Sequence, residues 1–114
     1  AAQTGHIPNS INIDWNQNIS TDGTFKSDEE LSKLYDIPKD SEIITYCQGA
    51  YRAANSFLVL KKLGFKNVKI YLGSWGEWGN NLILPIEWIK VWFSNYFKIW
   101  QVPLKMKLKK NTLR

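Results

Sequence analysis

The sequence predicts an α/β domain whose parallel sheet is flanked by helices, and three observations carry that expectation. Ile43, Ile44, Thr45 and Tyr46 form a continuous β-branched and aromatic run, the pattern of a strand buried on both faces. Directly after it, Ala53, Ala54, Phe57, Leu58, Leu60 and Leu63 recur at helical spacing, with Gly64 placed for a left-handed cap. Asn67 to Leu72 then reads as a further strand, completing a βαβ unit with the usual right-handed crossover.

Taken in order, Gly5 to Ser10 is turn chemistry, and the alternation Ile11-Asn12-Ile13-Asp14-Trp15 suits a short strand. His6, beside Ile7-Pro8 in that turn, reads as a structural hydrogen-bonding group rather than a catalytic one. Asn16 to Thr24 is a polar loop. Ser27-Asp28-Glu29-Glu30 makes a capping box that opens a short helix with Leu31, Leu34 and Tyr35 on one face, ended by Asp36-Ile37-Pro38.

Gly73 to Asn80 holds three glycines, Trp75, Trp78 and Glu77, and emerges on the same sheet edge as the end of the Ile43 strand. Two readings stand together there: a packed turn whose tryptophans cap the core, and a pocket wall. From Ile86 onward Trp88, Trp92, Phe93, Tyr96, Phe97 and Trp100 crowd a span that also holds Lys90 and Lys98, with Pro103 ending any helix. This tail reads as a helix packed on an exposed sheet face or as a poorly ordered extension, with an interfacial membrane helix the weaker reading because its apolar positions wrap widely and its basic residues fall mostly beyond the helix.

With 114 residues and 44% hydrophobic content the chain has the material for one core. Its start lacks the basic and apolar regions of a signal peptide, and no charge-free apolar stretch reaches transmembrane length, so a cytoplasmic protein is the expectation. One cysteine excludes an internal disulfide, and one histidine beside it leaves a structural zinc site without ligands; no metal or cofactor is expected. Residues 98–114 carry six basic residues and no acid, and removing them from the net charge of +5 leaves −1. The remainder is nearly neutral, which argues against a nucleic-acid-binding face.

The chemistry converges on Cys47-Gln48-Gly49-Ala50-Tyr51-Arg52, the loop between the buried strand and the long helix. Unpaired N–H groups and the positive end of the helix dipole meet where the cysteine sulfur lies, and Arg52 adds a permanent cation. Such surroundings lower a thiol pKa. The loop reads as an anion cradle with a nucleophile inside.

These residues, with the GHIPNSINIDW run at 5–15, DGTFKSDEEL at 22–31, IITYCQGAYRAANSFLVLKKLG at 43–64 and YLGSWGEWGN at 71–80, resemble the rhodanese family, in particular the catalytic C-terminal domain of two-domain thiosulfate sulfurtransferases. The resemblance covers about residues 4–86, so 1–86 reads as a partial rhodanese domain and 87–114 as an extension outside the family pattern. It implies a rhodanese-like parallel sheet, and Cys47 as the nucleophile that takes the sulfane sulfur of thiosulfate as a persulfide and passes it to cyanide or a thiol. Gln48, Gly49, Ala50, Tyr51 and Arg52 match the loop around the outer sulfur, and Trp75, in the fourth matching run, joins them as a substrate-binding candidate because its segment is expected on the same sheet edge as Cys47. Asn9 stands where the family usually has glycine, and asparagine tolerates the left-handed conformation.

Three other readings compete with this one. A cysteine phosphatase spaces its Cys and Arg one residue further apart to surround a tetrahedral phosphate, and the four residues between Cys47 and Arg52 argue against it. A 3-mercaptopyruvate sulfurtransferase differs only in its donor. An inactive or partial domain acting as a binding module is suggested by what the family pattern has before the GHIP turn: an edge strand, a central strand and a helix. Without that central strand a gap is expected beside the cysteine strand, to be closed by the tail or by a longer chain, and the partner domain of two-domain members is also expected outside this sequence.

Overall fold

A computed structural model describes residues 1–88 and 100–103 of the chain. The run read as a buried strand is β2 (Glu42–Tyr46), and its side chains divide by strand alternation between two cores. Ile43 packs with Leu31, Tyr35, Val59, Leu60, Phe65 and Val68 on one face, and Ile44 and Tyr46 pack with Ile7, Tyr71, Trp75 and Trp78 on the other. That two-sided burial is why Ile43, Ile44 and Tyr46 are apolar, while the one buried polar side chain of the strand, Thr45, donates its hydroxyl to the Ala53 carbonyl at 3.1 Å.

The elements that enclose β2 follow local signals. β1 (Ile11–Asn12) comes first, and helix α1 (Asp28–Leu34) starts at the reciprocal capping box of Ser27 and Glu30. Helix α2 (Tyr51–Lys62) is followed by Gly64 at φ 91°, the left-handed position expected of it. β3 (Asn67–Ile70) pairs in parallel with β2, Ile43 opposite Val68 and Thr45 opposite Ile70. Helix α3 (Ser74–Trp78) and β4 (Trp100–Pro103) complete the set. Asn9 has φ 64°, as its place in the first turn requires. His6 is structural, with Nδ1 3.0 Å from Ser10 Oγ and 3.1 Å from the Ile7 carbonyl, while its backbone pairs with Glu87.

The expected parallel pairing is that of β2 with β3, and β4 joins antiparallel to both its neighbours in a sheet of order β1-β4-β2-β3. Three sequence expectations are corrected. The expected helical tail is a strand at Trp100–Pro103, and the remainder of that expectation, at 89–99 and 104–114, lies outside the described residues. β4 pairs with β1 and with the whole outer half of β2, Tyr46 opposite Trp100, so the gap expected between β1 and β2 is filled by the tail. The strand read over Ile11 to Trp15 stops at Asn12: Asp14 Oδ1 accepts from the Asn16 N–H and caps a 3₁₀ turn, Trp15–Asn18, that carries Trp15 off the sheet. Gly73 to Asn80, read as a turn, contains the short helix α3.

Candidate active site

Cys47 follows the last residue of β2 and is 3% exposed. Three residues later Ala50 takes φ 75°, a left-handed conformation costing a non-glycine residue about 1 kcal/mol, and α2 begins with no side-chain cap. The kink turns the first amides of α2 inward. The backbone N–H groups of Ala53, Gly49 and Arg52 act on the Cys47 thiol, which stands where a capping side chain would. Burial is the largest single influence on the thiol and pushes its pKa up. The three N–H groups and the Arg52 charge together outweigh it, so the pKa lies below the ordinary cysteine value.

The loop is braced from below by the segment after β3. Trp75 N–H donates to the Cys47 carbonyl at 2.8 Å and Gly76 N–H donates to the Gln48 carbonyl at 3.0 Å. Ser74 Oγ donates to the Tyr71 carbonyl at 2.8 Å and accepts from the Cys47 N–H at 3.2 Å. A side chain at Gly76 would meet the Gln48 carbonyl oxygen at 3.0 Å, so glycine allows this close approach. The backbone on both sides of the sulfur is thereby fixed.

Beside the loop lies an open groove of about 230 Å³ lined by Trp15, Tyr51, Arg52 and Asn55. Trp15 also packs against Cys47 and Ala53, which ties the groove to the Cys47 thiol. Of the residues singled out in the sequence, Tyr51, 91% exposed, and Arg52 line this groove, while Gln48 and Gly49 are exposed and Ala50 half-buried on the loop that joins it to Cys47. Trp75 is brought to the site through its backbone only: its indole is buried in the core with Ile7, Tyr46 and Trp78. The packed-core reading of the tryptophans therefore describes Trp75, and the aromatic walls of the groove are Trp15 and Tyr51.

Sequence reasoning missed Trp15, Asn55 and Ser74. Asn55 carried a usable signal, since it lies three residues after Arg52 and four after Tyr51 on α2 and so shares their face. Trp15 carried none, because its placement depends on the 3₁₀ turn that ends β1 early. Among the described residues no three His, Cys, Asp or Glu side chains cluster to hold a metal ion, and no helix is long and apolar enough to cross a membrane.

Comparison with known proteins adds to this geometry. Residues 2–81 match the family model described as rhodanese-like domain. The chain is 50% identical over 90 residues to the sulfur carrier protein TtuD of Thermus thermophilus, covering 75% of this chain and 32% of that protein. It is 48% identical over 85 residues to a thiosulfate sulfurtransferase of Corynebacterium glutamicum, covering 73% and 28%, and 48% identical over 87 residues to a putative thiosulfate sulfurtransferase of Mycolicibacterium smegmatis, covering 73% and 31%. The matched part thus spans about a third of the length of these relatives.

Proposed function

Because this chain belongs to the rhodanese-like domain family, we propose that it is a sulfurtransferase working through a persulfide on Cys47. The observation that carries the reading is the convergence of the Ala53, Gly49 and Arg52 N–H groups on a sulfur at the N-terminus of α2. In the first half-reaction the Cys47 thiolate attacks the outer sulfur of thiosulfate. The sulfur–sulfur bond of the donor breaks, its electron pair leaves with sulfite, and the outer sulfur stays on Cys47 as an anionic persulfide. The same N–H groups and the helix dipole stabilise that anion, and they are aligned before it forms. In the second, a cyanide or thiolate acceptor attacks the outer sulfur and the Cys47 thiolate is released.

Arg52 favours thiosulfate over 3-mercaptopyruvate as donor, because a guanidinium in the groove suits a sulfonate that accepts several hydrogen bonds. The activities named for the relatives, sulfur carrier and thiosulfate sulfurtransferase, are both compatible with a cysteine persulfide and differ in where its sulfur goes next. A reducing compartment such as the cytoplasm suits a cysteine that must return to the thiolate after every turnover.

Intact-mass spectrometry after thiosulfate treatment tests the proposal. The expected product is the chain plus one sulfur atom, removed by dithiothreitol and absent in Cys47→Ser. A folded sample that gains no sulfur refutes it.

A further inference from the structure

The groove beside Cys47 contains a polar side chain whose orientation is fixed from inside the protein. Asn18, at the end of the 3₁₀ turn, is fully buried. Its Oδ1 accepts from the Tyr35 hydroxyl at 2.6 Å, and its Nδ2 donates to Asn55 Oδ1 at 3.0 Å and to Ser56 Oγ at 3.5 Å. Both amide hydrogens of Asn18 are therefore committed. The bond to Asn55 fixes which end of the Asn55 amide faces inward: the carbonyl oxygen is held by Asn18, and the NH₂ group is left on the groove side.

Asn55 lies one helical turn beyond Arg52, and side chains on a helix lean back toward its N-terminus, here toward Arg52 and the Cys47 loop. The groove is thus lined by Asn55 and Arg52 together with the aromatic side chains of Trp15 and Tyr51, and the Asn55 NH₂ group is the end of the amide that Asn18 does not hold. Among the described residues no ion pair occupies Arg52. A cation flanked by a fixed neutral donor suits an oxyanion, and a thiolate acceptor gains less from directed N–H groups than an oxygen does.

We propose that Asn55 is a donor-substrate binding residue that, with Arg52, holds the oxyanion end of the sulfur donor, and that Asn18 is the positioning residue that aims it. The assignment rests on the sulfurtransferase reading for the identity of the donor, and the groove's preference for an oxyanion is testable without turnover. The alternative is that the Tyr35–Asn18–Asn55 chain only ties the 3₁₀ turn to α2.

Asn55→Asp separates the two, because a carboxylate oxygen still accepts from Asn18 while the donor hydrogens are lost and a negative charge faces the groove. In a two-step transfer each kcat/KM reports its own half-reaction. Asn55→Asp is expected to lower kcat/KM for thiosulfate about tenfold or more, the scale of a lost hydrogen bond to a charged group, and to leave kcat/KM for dithiothreitol as acceptor within about twofold. Its melting temperature should stay within about 2 °C of the parent chain, since the buried bond survives. An unchanged thiosulfate term, or an equal fall in both half-reactions, overturns the proposal. If the aspartate variant does not fold, Asn55→Ala removes the donors and the Asn18 bond together, and a fall confined to the thiosulfate half-reaction supports the assignment while an equal fall in both overturns it. Calorimetric titration of thiosulfate into Cys47→Ser, with and without Asn55→Asp, reads the groove with no sulfur transfer at all. Weakening of that binding by Asn55→Asp supports the assignment even if Cys47 takes no sulfur, and equal binding or none sinks it even if Cys47 does.

Discussion

Replacing Ser74 by alanine removes one oxygen and tests whether the segment after β3 holds the nucleophile in place. Ser74 is fully buried; its hydroxyl accepts from the Cys47 N–H at 3.2 Å and donates to the Tyr71 carbonyl at 2.8 Å. The Tyr71 carbonyl keeps a second partner, the Ser74 N–H at 3.1 Å, so its loss is partial. The Cys47 N–H has no such reserve, and a buried donor left unsatisfied costs about 1–3 kcal/mol. Adding the lost bond to Tyr71 gives an expected destabilisation of roughly 2–3 kcal/mol. The left-handed backbone at Ser74, φ 49°, contributes little to the difference because serine and alanine both carry a Cβ there. Urea denaturation at neutral pH reads the change as a lower midpoint with an unchanged slope. The rate of sulfur uptake by Cys47, followed by intact mass, should fall with it, because the amide next to the nucleophile loses its anchor. A Ser74→Ala chain within about 0.5 kcal/mol of the parent would refute the bracing argument, since that is the range of substitutions away from any special contact.

The remaining predictions concern the same loop and the strand beside it. Iodoacetamide alkylation of Cys47 should have a pH midpoint below that of an ordinary cysteine, and Arg52→Ala should move it upward; a midpoint at or above the ordinary value contradicts the cradle. Because the folded-state pKa is the lower one, the associated stability is complete above the unfolded-state value and disappears as pH falls through the folded-state value. The unfolding midpoint should therefore rise with pH across that window in the parent chain, with no corresponding rise in Cys47→Ser. Gly76→Ala sets a gain in helix propensity of up to about 1 kcal/mol against a Cβ lying 3.0 Å from the Gln48 carbonyl; stability should shift by less than about 1 kcal/mol while sulfur uptake slows about fivefold or more, and unaltered uptake would show that the contact does not fix the loop. Ending the chain at Ile99 removes β4 and should speed hydrogen exchange of alternate β2 amides about tenfold or more, leaving those that face β3 slower; uniform protection along β2 would speak against β4 as its partner.

How far the sequence was legible depends on the range of the forces involved. The capping box at Ser27, the left-handed sites at Asn9 and Gly64, and the helix after the cysteine loop are decided by residues within one or two turns of each other. The buried strand was legible because burial on two faces selects the β-branched and aromatic run Ile43 to Tyr46, with Thr45 its only polar member. Trp15 was misplaced because alternation over Ile11 to Trp15 fits a strand equally well, and the competing Asp14 cap gains only when the 3₁₀ turn packs on α2. Tertiary burial decided Trp75, whose indole the core takes while its amide serves the loop. In the tail the aromatic spacing fits a helix, whereas at Trp100–Pro103, the part of it that is described, the open hydrogen-bonding edges of β1 and β2 are satisfied by a strand.

That strand bears on the nucleophile directly. Cys47 continues from β2, and the last paired residue of β2, Tyr46, lies opposite Trp100, so β4 docks up to the residue before the sulfur. On the other side β3 pairs only as far as Thr45, and the Tyr71 N–H and Ser74 hydroxyl extend that support, the first to the Thr45 carbonyl at 2.9 Å and the second to the Cys47 N–H. The cradle of N–H groups is local to the loop and forms wherever α2 begins with Ala50 in its left-handed kink. Its alignment with a substrate in the groove depends on β2 being held from both edges, because the groove is built by α2 and the 3₁₀ turn while the sulfur is carried by the sheet. A change that loosens β4 should therefore lower the rate of sulfur transfer more than it lowers the acidity of Cys47, and the alkylation profile and the uptake rate of the chain ending at Ile99 measure those two quantities separately.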